Sequence, residues 1–384
     1  MSFCPARRAA LAAAAAWGAT TRPASATAPV SEGVPQLRKG LNLSHWFEYE
    51  RGQAVSAAEM KQFHTMGLDH VRIPVDPAVG AWLPEREAPP SFLFELRDAA
   101  AQAVQAGLEV VVDLHLEPAD KKRIEDHPRL EPGLERLWSQ MATALAGLPR
   151  DKLVFELFNE PQYYGLQRRR WPPLQRKLLA AVRAVAPRHL VLLSGSGGGS
   201  FEGLSGLAPA ADANVGYVFH HYEPFLFTHQ GASWLDERWT TAGLRRGLRY
   251  PPSADVEGKA PLLRPHPRAA KELADYVNGG WDKGRLRAEI DQAGVWARTH
   301  GLRLFCNEFG VIRANVDEAS RYRWLADVRQ ACEANGIGWT VWDYTDIFGL
   351  TAQSAQLGRV GRRTWDGPAA AALGLRGVNA GASR

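Results

Sequence analysis

The chain has 384 residues, 46 Lys and Arg against 41 Asp and Glu, a formal net charge of +5 and three cysteines. With no clustered basic face, that balance argues against a nucleic-acid binder, and three cysteines exclude a disulfide-built fold. A composition 45 % hydrophobic over this length suits one large core, as in a single α/β barrel.

Residues 1–26 read as an export leader. Arg7 and Arg8 precede an alanine-rich run to Trp17, and Ala24-Ser25-Ala26 offers a small-residue cleavage site. Paired arginines also suit twin-arginine export; the alternative is an uncleaved disordered tail. The apolar run is too short to span a bilayer. The expectation is a secreted or periplasmic protein with no membrane partner. Arg7, Arg8 and Arg22 leave with the leader and no acid does, so the mature chain is closer to neutral. Cys4 leaves too. Cys306 and Cys332 either pair or stay as buried thiols, and the sequence leaves both open.

Residues 27–38, rich in Pro, Ser, Ala and Thr, form a disordered lead-in to a single domain over 39–375. Gly40–Leu43 reads as a first short strand, Ala57–Met66 as a helix closed by Gly67, and His70–Val75 as a second strand. Phe92–Ala106 is a helix stopped by Gly107, and Leu108–His115 a third strand. Pro132–Ala146 is helical with proline at its start. Leu153-Val154-Phe155 opens a fourth strand that runs to Asn159-Glu160-Pro161, where proline cannot continue the ladder. Arg168-Arg169-Arg170 is a solvated helix start, Pro173–Val185 a helix and Leu190–Leu193 a fifth strand. Ser196-Gly197-Gly198-Gly199 lacks the lysine and spacing of a phosphate loop and reads as a flexible turn. Val215–His220 is the sixth strand. An irregular insertion from His221 to about Lys283 follows, lying over the mouth of the fold. Leu286–Thr299 and Glu318–Ala334 are helices; Leu302–Cys306 and Ile337–Trp342 are the seventh and eighth strands. A short helix over Pro368–Leu373 precedes a flexible tail, 376–384. Eight strands alternating with helices predict an α/β fold, a (β/α)8 TIM barrel, rather than an open sheet.

Polar groups collect at the strand ends: Arg72, His115, Asn159 and Glu160, His220 and Tyr222, Glu308, and Trp342. Any one has an ordinary structural explanation; the set at one end of a barrel points to chemistry. Glu160 and Glu308 each end an apolar strand, and closing the sheet lets them face each other. Two opposed carboxylates serve glycoside hydrolysis. Glu156 shares the parity of Glu160 but lies deeper, so it reads as an ion-pair partner inside the barrel. His45, Trp46 and Trp234 are candidates for outer subsites.

Asn159-Glu160-Pro161 and Asn307-Glu308-Phe309-Gly310 resemble glycoside hydrolase family 5, the family of many cellulases, across nearly all of the mature chain. The eight strand-end residues match that family's recurring active-site set in order. One departure is Asn307, where glycine often stands. The resemblance implies a retaining double displacement needing no cofactor and no metal. Glu308 would be the nucleophile, kept ionised by Arg72 with Tyr222 donating. Glu160 would be the acid/base, its pKa raised. Asn159 would bind the sugar 2-hydroxyl, His115 and His220 would shape the subsite, and Trp342 would offer a platform. The implied substrate is a β-glucan or related polysaccharide, with endo-β-1,4-glucanase activity favoured over β-1,3-glucanase, β-mannanase or β-glucosidase. The stretch Glu223–Gly231 resembles bacterial cellulase-like members and tilts toward glucan. A monomer is expected. Two rival readings are a metal-dependent barrel hydrolase or isomerase using Asp113, His115, His220 and Glu308, and a non-catalytic sugar-binding barrel, against which the paired glutamates speak.

Overall fold

Eight short, almost wholly buried strands curl into a closed parallel barrel in sequence order, the last pairing with the first. The structure is a computed structural model that describes residues 33–48, 52, 54–77, 88–232, 247–253, 267–353 and 363–377. The expected leader and Trp234 lie outside them. The barrel strands are β1 (Lys39–Asn42), β2 (His70–Val75), β3 (Glu109–Leu114), β4 (Leu153–Glu156), β5 (Leu190–Ser194), β6 (Val215–His220), β7 (Leu304–Glu308) and β8 (Gly338–Val341).

Helices clothe the outside: α1 (Ala57–Thr65), α2 (Pro90–Gln105), α3 (Pro118–Asp126), α4 (Glu131–Leu145), α5 (Trp171–Val185) and α6 (Phe201–Ser205) in the first part of the chain. Then come α7 (Phe225–Thr228), α8 (Pro267–Asn278), α9 (Lys283–His300), α10 (Glu318–Ala334) and α11 (Gly367–Ala372). Local chemistry sets several ends. Ser56 and Glu59 form a reciprocal capping box on α1, and the Asp282 and Asp317 side chains cap α9 and α10. Gly301 closes α9 at φ 64°. Among the described residues no helix is long and apolar enough to cross a membrane.

Strand parity divides the interior into two cores. Val112, Phe155, Val191, Tyr217 and Phe219 join the large core beneath the helices. Their neighbours Val111, Val154, Leu190, Leu192 and Val218, with Leu37 and Phe305, form a separate plug inside the barrel. Above this plug the inward positions turn polar: Asn42, Arg72, Asp113, Glu156 and Asn307, all buried. That layer is the floor of the mouth.

The expected fold is present, with local differences. The ladder of β4 stops at Glu156, so Glu160 stands in the loop beyond it rather than on the strand. β7 runs to Glu308 instead of stopping at Cys306. The helix α3 was not expected; Pro118 starts it, but its charged sequence shows little apolar periodicity. Nor was the antiparallel pair β9 (Thr351–Gln353) and β10 (Arg363–Trp365), whose strands are three residues each. The insertion after β6 is not irregular throughout: it contains α7 and α8. Gln230 exchanges hydrogen bonds with the backbone of Leu248, and the Tyr250 hydroxyl donates to Asp327 at 3.1 Å. Cys306 and Cys332 are free buried thiols.

Near the closed end, a Cβ on Gly40 would sit 2.0 Å from His70 Nε2. That imidazole is fixed between Asp69 Oδ1 at 2.7 Å and Thr340 Oγ1 at 2.8 Å. Gly40→Ala should therefore destabilise the fold by about 1–3 kcal/mol, the usual cost of overpacking. Denaturant unfolding checks this; an unchanged midpoint would contradict the fixed contact.

Candidate active site

At the C-terminal mouth the geometry is organised by Arg72. Its guanidinium is fully buried and lies 2.7 Å from Asp113, 2.8 Å from Glu156 and 2.7 Å from Glu308. It also donates to Asn42 Oδ1 and Asn159 Oδ1, each at 3.0 Å. Burial alone would favour losing the proton, but the three carboxylates outweigh it and push the Arg72 pKa up. The acids share one cation, so they do not all ionise freely. Burial raises Asp113 to about 6, with Glu308 nearby adding to it, and burial raises Glu156 as well.

Glu308 accepts from Arg72 Nη1 on one oxygen and from the Tyr222 hydroxyl on the other, at 3.1 Å. His220 Nδ1 lies 3.4 Å from that second oxygen and 2.8 Å from Glu160 Oε1. A register shift between Phe219 and His220 sets His220 opposite Glu308 on the neighbouring strand. One oxygen from each of Glu160 and Glu308 and a His220 nitrogen lie within 4.8 Å of one another. The two acids expected to face each other do share one chamber.

Glu160 is held in an unusual way. Its backbone takes φ 44°, a left-handed value that costs a non-glycine residue energy, and it precedes Pro161, which favours an extended conformation. About a third of its side chain remains open to the cleft. Its pKa runs opposite to the expected rise. Burial pulls it up, but the hydrogen bond and charge of His220 prevail and bring it down to about 2. Burial likewise opposes a charged His220, yet Glu308 and Glu160 raise its pKa above the usual 6.5. No local sequence signal shows this pair, because its members are 60 residues apart.

His115 and Asn159 form a second oriented unit. Asn159 Nδ2 donates to His115 Nε2 at 2.9 Å, while His115 Nδ1 bonds Asp113 Oδ2 at 2.9 Å. Burial holds His115 near pKa 3, so it stays neutral with its proton on Nδ1. Trp342 stacks on His115 with ring centroids 5.5 Å apart and most of its surface buried. The ligand set of the rival metal reading, Asp113, His115, His220 and Glu308, is not assembled around one point; Asp113 is engaged by Arg72 and His115. His221 points away from His220 and stacks on Trp324 in the helical core, where burial holds it near pKa 4.

Of the outer candidates, His45 bonds Asp346 at 3.3 Å, and that contact leads the rise of its pKa to about 9. Trp46 packs beside Phe47 at the edge of the large core. Three residues without an expected part in the site belong to it, and Asp113, weighed before only as a metal ligand, belongs as a partner of Arg72. Asn42 and Asp113 bind Arg72. Asn307, at the position where the resembled family often has glycine, donates to Glu156 Oε2 at 2.7 Å. Glu48, after β1, accepts from the His45 backbone and lies 3.9 Å from His115 Nε2; burial raises it to about 7. Inward parity on β1, β3 and β7 was the available signal for the first three. Glu48 sits in a loop, where parity gives none.

A closed parallel barrel with two acids meeting above a buried arginine defines a hydrolase of the barrel glycosidase class. Sequence comparison makes this specific: residues 30–347 match the cellulase family, glycosyl hydrolase family 5, and the chain belongs to it. It is 26 % identical to Endoglucanase 3 of Fibrobacter succinogenes over 357 residues, which cover 84 % of this chain and 52 % of that protein. The chain thus spans about half the length of that relative. It is 26 % identical to Endoglucanase C of Acetivibrio thermocellus over 322 residues, 80 % of this chain and 91 % of that one. Endoglucanase Cel5A from Thermotoga maritima superposes with a TM-score of 0.69 at 24 % identity, covering 88 % of this chain and 97 % of that one, a likeness of fold.

The His220–Glu160 pair has a signed pH dependence. Glu160, lowered, contributes stability above its unfolded value of 4.5 and loses it as pH falls toward about 2. His220, raised, contributes below its unfolded value of 6.5 and loses it as pH climbs through its folded value. The pair is strongest between those two ordinary values. Glu160→Gln should lower the pH at which His220 releases its proton, read by NMR titration of the imidazole. An unmoved or raised titration point would contradict the pairing.

Proposed function

We propose that the protein is a retaining endo-β-1,4-glucanase in which Glu308 is the nucleophile and Glu160 the acid/base. The observation that carries this is the approach of the two carboxylates within one chamber. Retention needs carboxyl groups about 5–5.5 Å apart, whereas inversion needs about 6.5–9.5 Å to seat a water. Arg72 and Tyr222 hold Glu308 as a carboxylate ready to attack the anomeric carbon. Burial, then Glu308, keeps the Tyr222 hydroxyl protonated as a donor.

The acid's proton is held across the 2.8 Å contact between His220 Nδ1 and Glu160 Oε1. As the glycosidic oxygen gains negative charge, the proton passes through Glu160 to the leaving group, and His220 is left neutral. Attack by Glu308 forms a glycosyl ester. Glu160, now a carboxylate, takes a proton from water, which releases the sugar with its original anomeric configuration. Asn159, oriented by Arg72 and His115, directs its amide toward the sugar 2-hydroxyl, and Trp342 supplies an apolar face for the ring.

Family membership and the endoglucanase relatives support a β-1,4-glucan as substrate. The arginine- and alanine-rich residues 1–26 support export, which N-terminal sequencing of the mature protein tests. Glu308→Gln keeps the shape of the site but removes the nucleophile, and should cut hydrolysis of β-1,4-glucan by about 10³-fold or more while substrate still binds. Wild-type hydrolysis followed by proton NMR should yield the β-anomer first. Undiminished turnover in the variant, or an initial α-anomer, would overturn the reading.

A further inference from the structure

The helix α3 takes no part in the steps above, yet it is pressed against the loop that carries the acid. Its buried residues are Lys121, Ile124 and Glu125. The Glu125 carboxylate accepts from the backbone N–H of Gln162, two residues after Glu160, and Arg170 Nη1 donates to Glu125 O at 2.6 Å. At the other end of the helix, Glu117 N donates to Asp76 Oδ2 at 3.3 Å. Residues four apart share a helix face, so Lys121 lies on the face of Glu125, one turn nearer to His115.

Lys121 is 3 % exposed. A buried ammonium ordinarily has a carboxylate beside it. The sequence offers two pairs four residues apart, Lys121 with Glu125 and Lys122 with Asp126, and the second forms at 2.6 Å. The first does not form, and among the described residues no group accepts from the Lys121 ammonium. Its charge falls on the mouth instead, on Asp113, His115 and Glu160.

We infer that Lys121 is a positioning residue for the acid/base: its charge supports the Glu160 carboxylate through the second displacement. The inference rests on reading Glu160 as that acid/base. The groups facing Glu160 are His220 on β6, Glu308 on β7, Tyr222 and His229 beyond β6, His115 beyond β3, and Lys121. Burial keeps His115 and His229 neutral, each near pKa 3. Arg72, beneath them, is taken by three other acids. Once the shared proton has left with the first sugar, His220 is neutral too. Among the described residues Lys121 is then the cation left facing the carboxylate. Burial alone raises Glu160, so without that cation it would take a proton from solvent and the incoming water would lack its base. With it, Glu160 accepts a proton from water as the water oxygen bonds to the anomeric carbon and the ester bond to Glu308 breaks. Lys121 itself gives and takes no proton.

The probe is 2,4-dinitrophenyl β-cellobioside, whose leaving group departs without an acid, so that water attack limits turnover and kcat follows Glu160 as a base. Lys121→Met, which keeps the stem and removes the charge, should move the acid limb of kcat upward by about half a pH unit or more. The acid limb of kcat/KM, which reports the first displacement, should stay where it is. Lys121→Arg, which keeps the charge, should bring the kcat limb back. An unmoved limb, or kcat and kcat/KM falling together at every pH, overturns the inference. Glu160→Ala tests the underlying reading separately: it should keep kcat/KM on this substrate and lose kcat. If that variant turns over as the wild type does, or the wild type leaves the substrate intact, the reading of the site fails and the inference with it.

Discussion

The site depends on one buried cation. Arg72 has no exposed surface and gathers Asp113, Glu156 and Glu308 around its guanidinium, with Asn42 and Asn159 taking further hydrogen bonds. Burying an arginine without partners costs far more than a barrel of this size can spare, so the carboxylates are a condition of its presence. The dependence runs both ways. One positive charge does not neutralise three acids in a low-dielectric interior, and the deeper two are pushed toward their protonated forms. Because these residues come from β1, β2, β3, β7 and the segment ending β4, the same contacts that tune the charges also fix the mouth.

The two acids that face the cleft are thereby set apart. Glu308 is anchored by a permanent cation and a hydroxyl donor. Glu160 is held by a titratable partner, His220, and by a strained backbone. Glu308 is thus fixed by a partner whose charge is permanent, and Glu160 by one that takes up or releases a proton over a single hydrogen bond. That difference suits the nucleophile and acid/base roles proposed for these two chemically identical side chains. The left-handed backbone at Glu160 is sustained by its surroundings, including Pro161 O, which accepts from Gly198.

Much of the frame could be read from residues alone, for clear physical reasons. Buried parallel strands are continuous apolar runs, and inward parity carries Arg72, Asp113 and Glu156 into one interior. The expected ion pair of Glu156 is there. What escaped was whatever depended on three-dimensional closure. The regular ladder at β4 ends at Glu156, four residues before Glu160, although Leu157 and Asn159 still donate to the flanking strands. The His220–Glu160 bond requires the β6–β7 register shift, which has no local signature. It reverses the pKa expected for Glu160. Glu48 reaches the site from a loop, and Asn307 supports Glu156 from a position where the family often has glycine. The three glycines after β5 read as a flexible turn because their partners, Pro161 for Gly198 and His220 for Gly199, come from other segments.

The measurement that bears most directly on this division among the four acids of the site is covalent trapping. An activated 2-deoxy-2-fluoro-β-cellobioside reacts with the nucleophile and stalls before water can release it. Digestion and mass mapping then identify the labelled residue. Asp113 and Glu156 are sealed in the floor beneath the mouth, and His220 holds Glu160, so the label should fall on Glu308 alone. A label on Glu160, Glu156 or Asp113, or continued turnover with no label on any of them, would contradict the account.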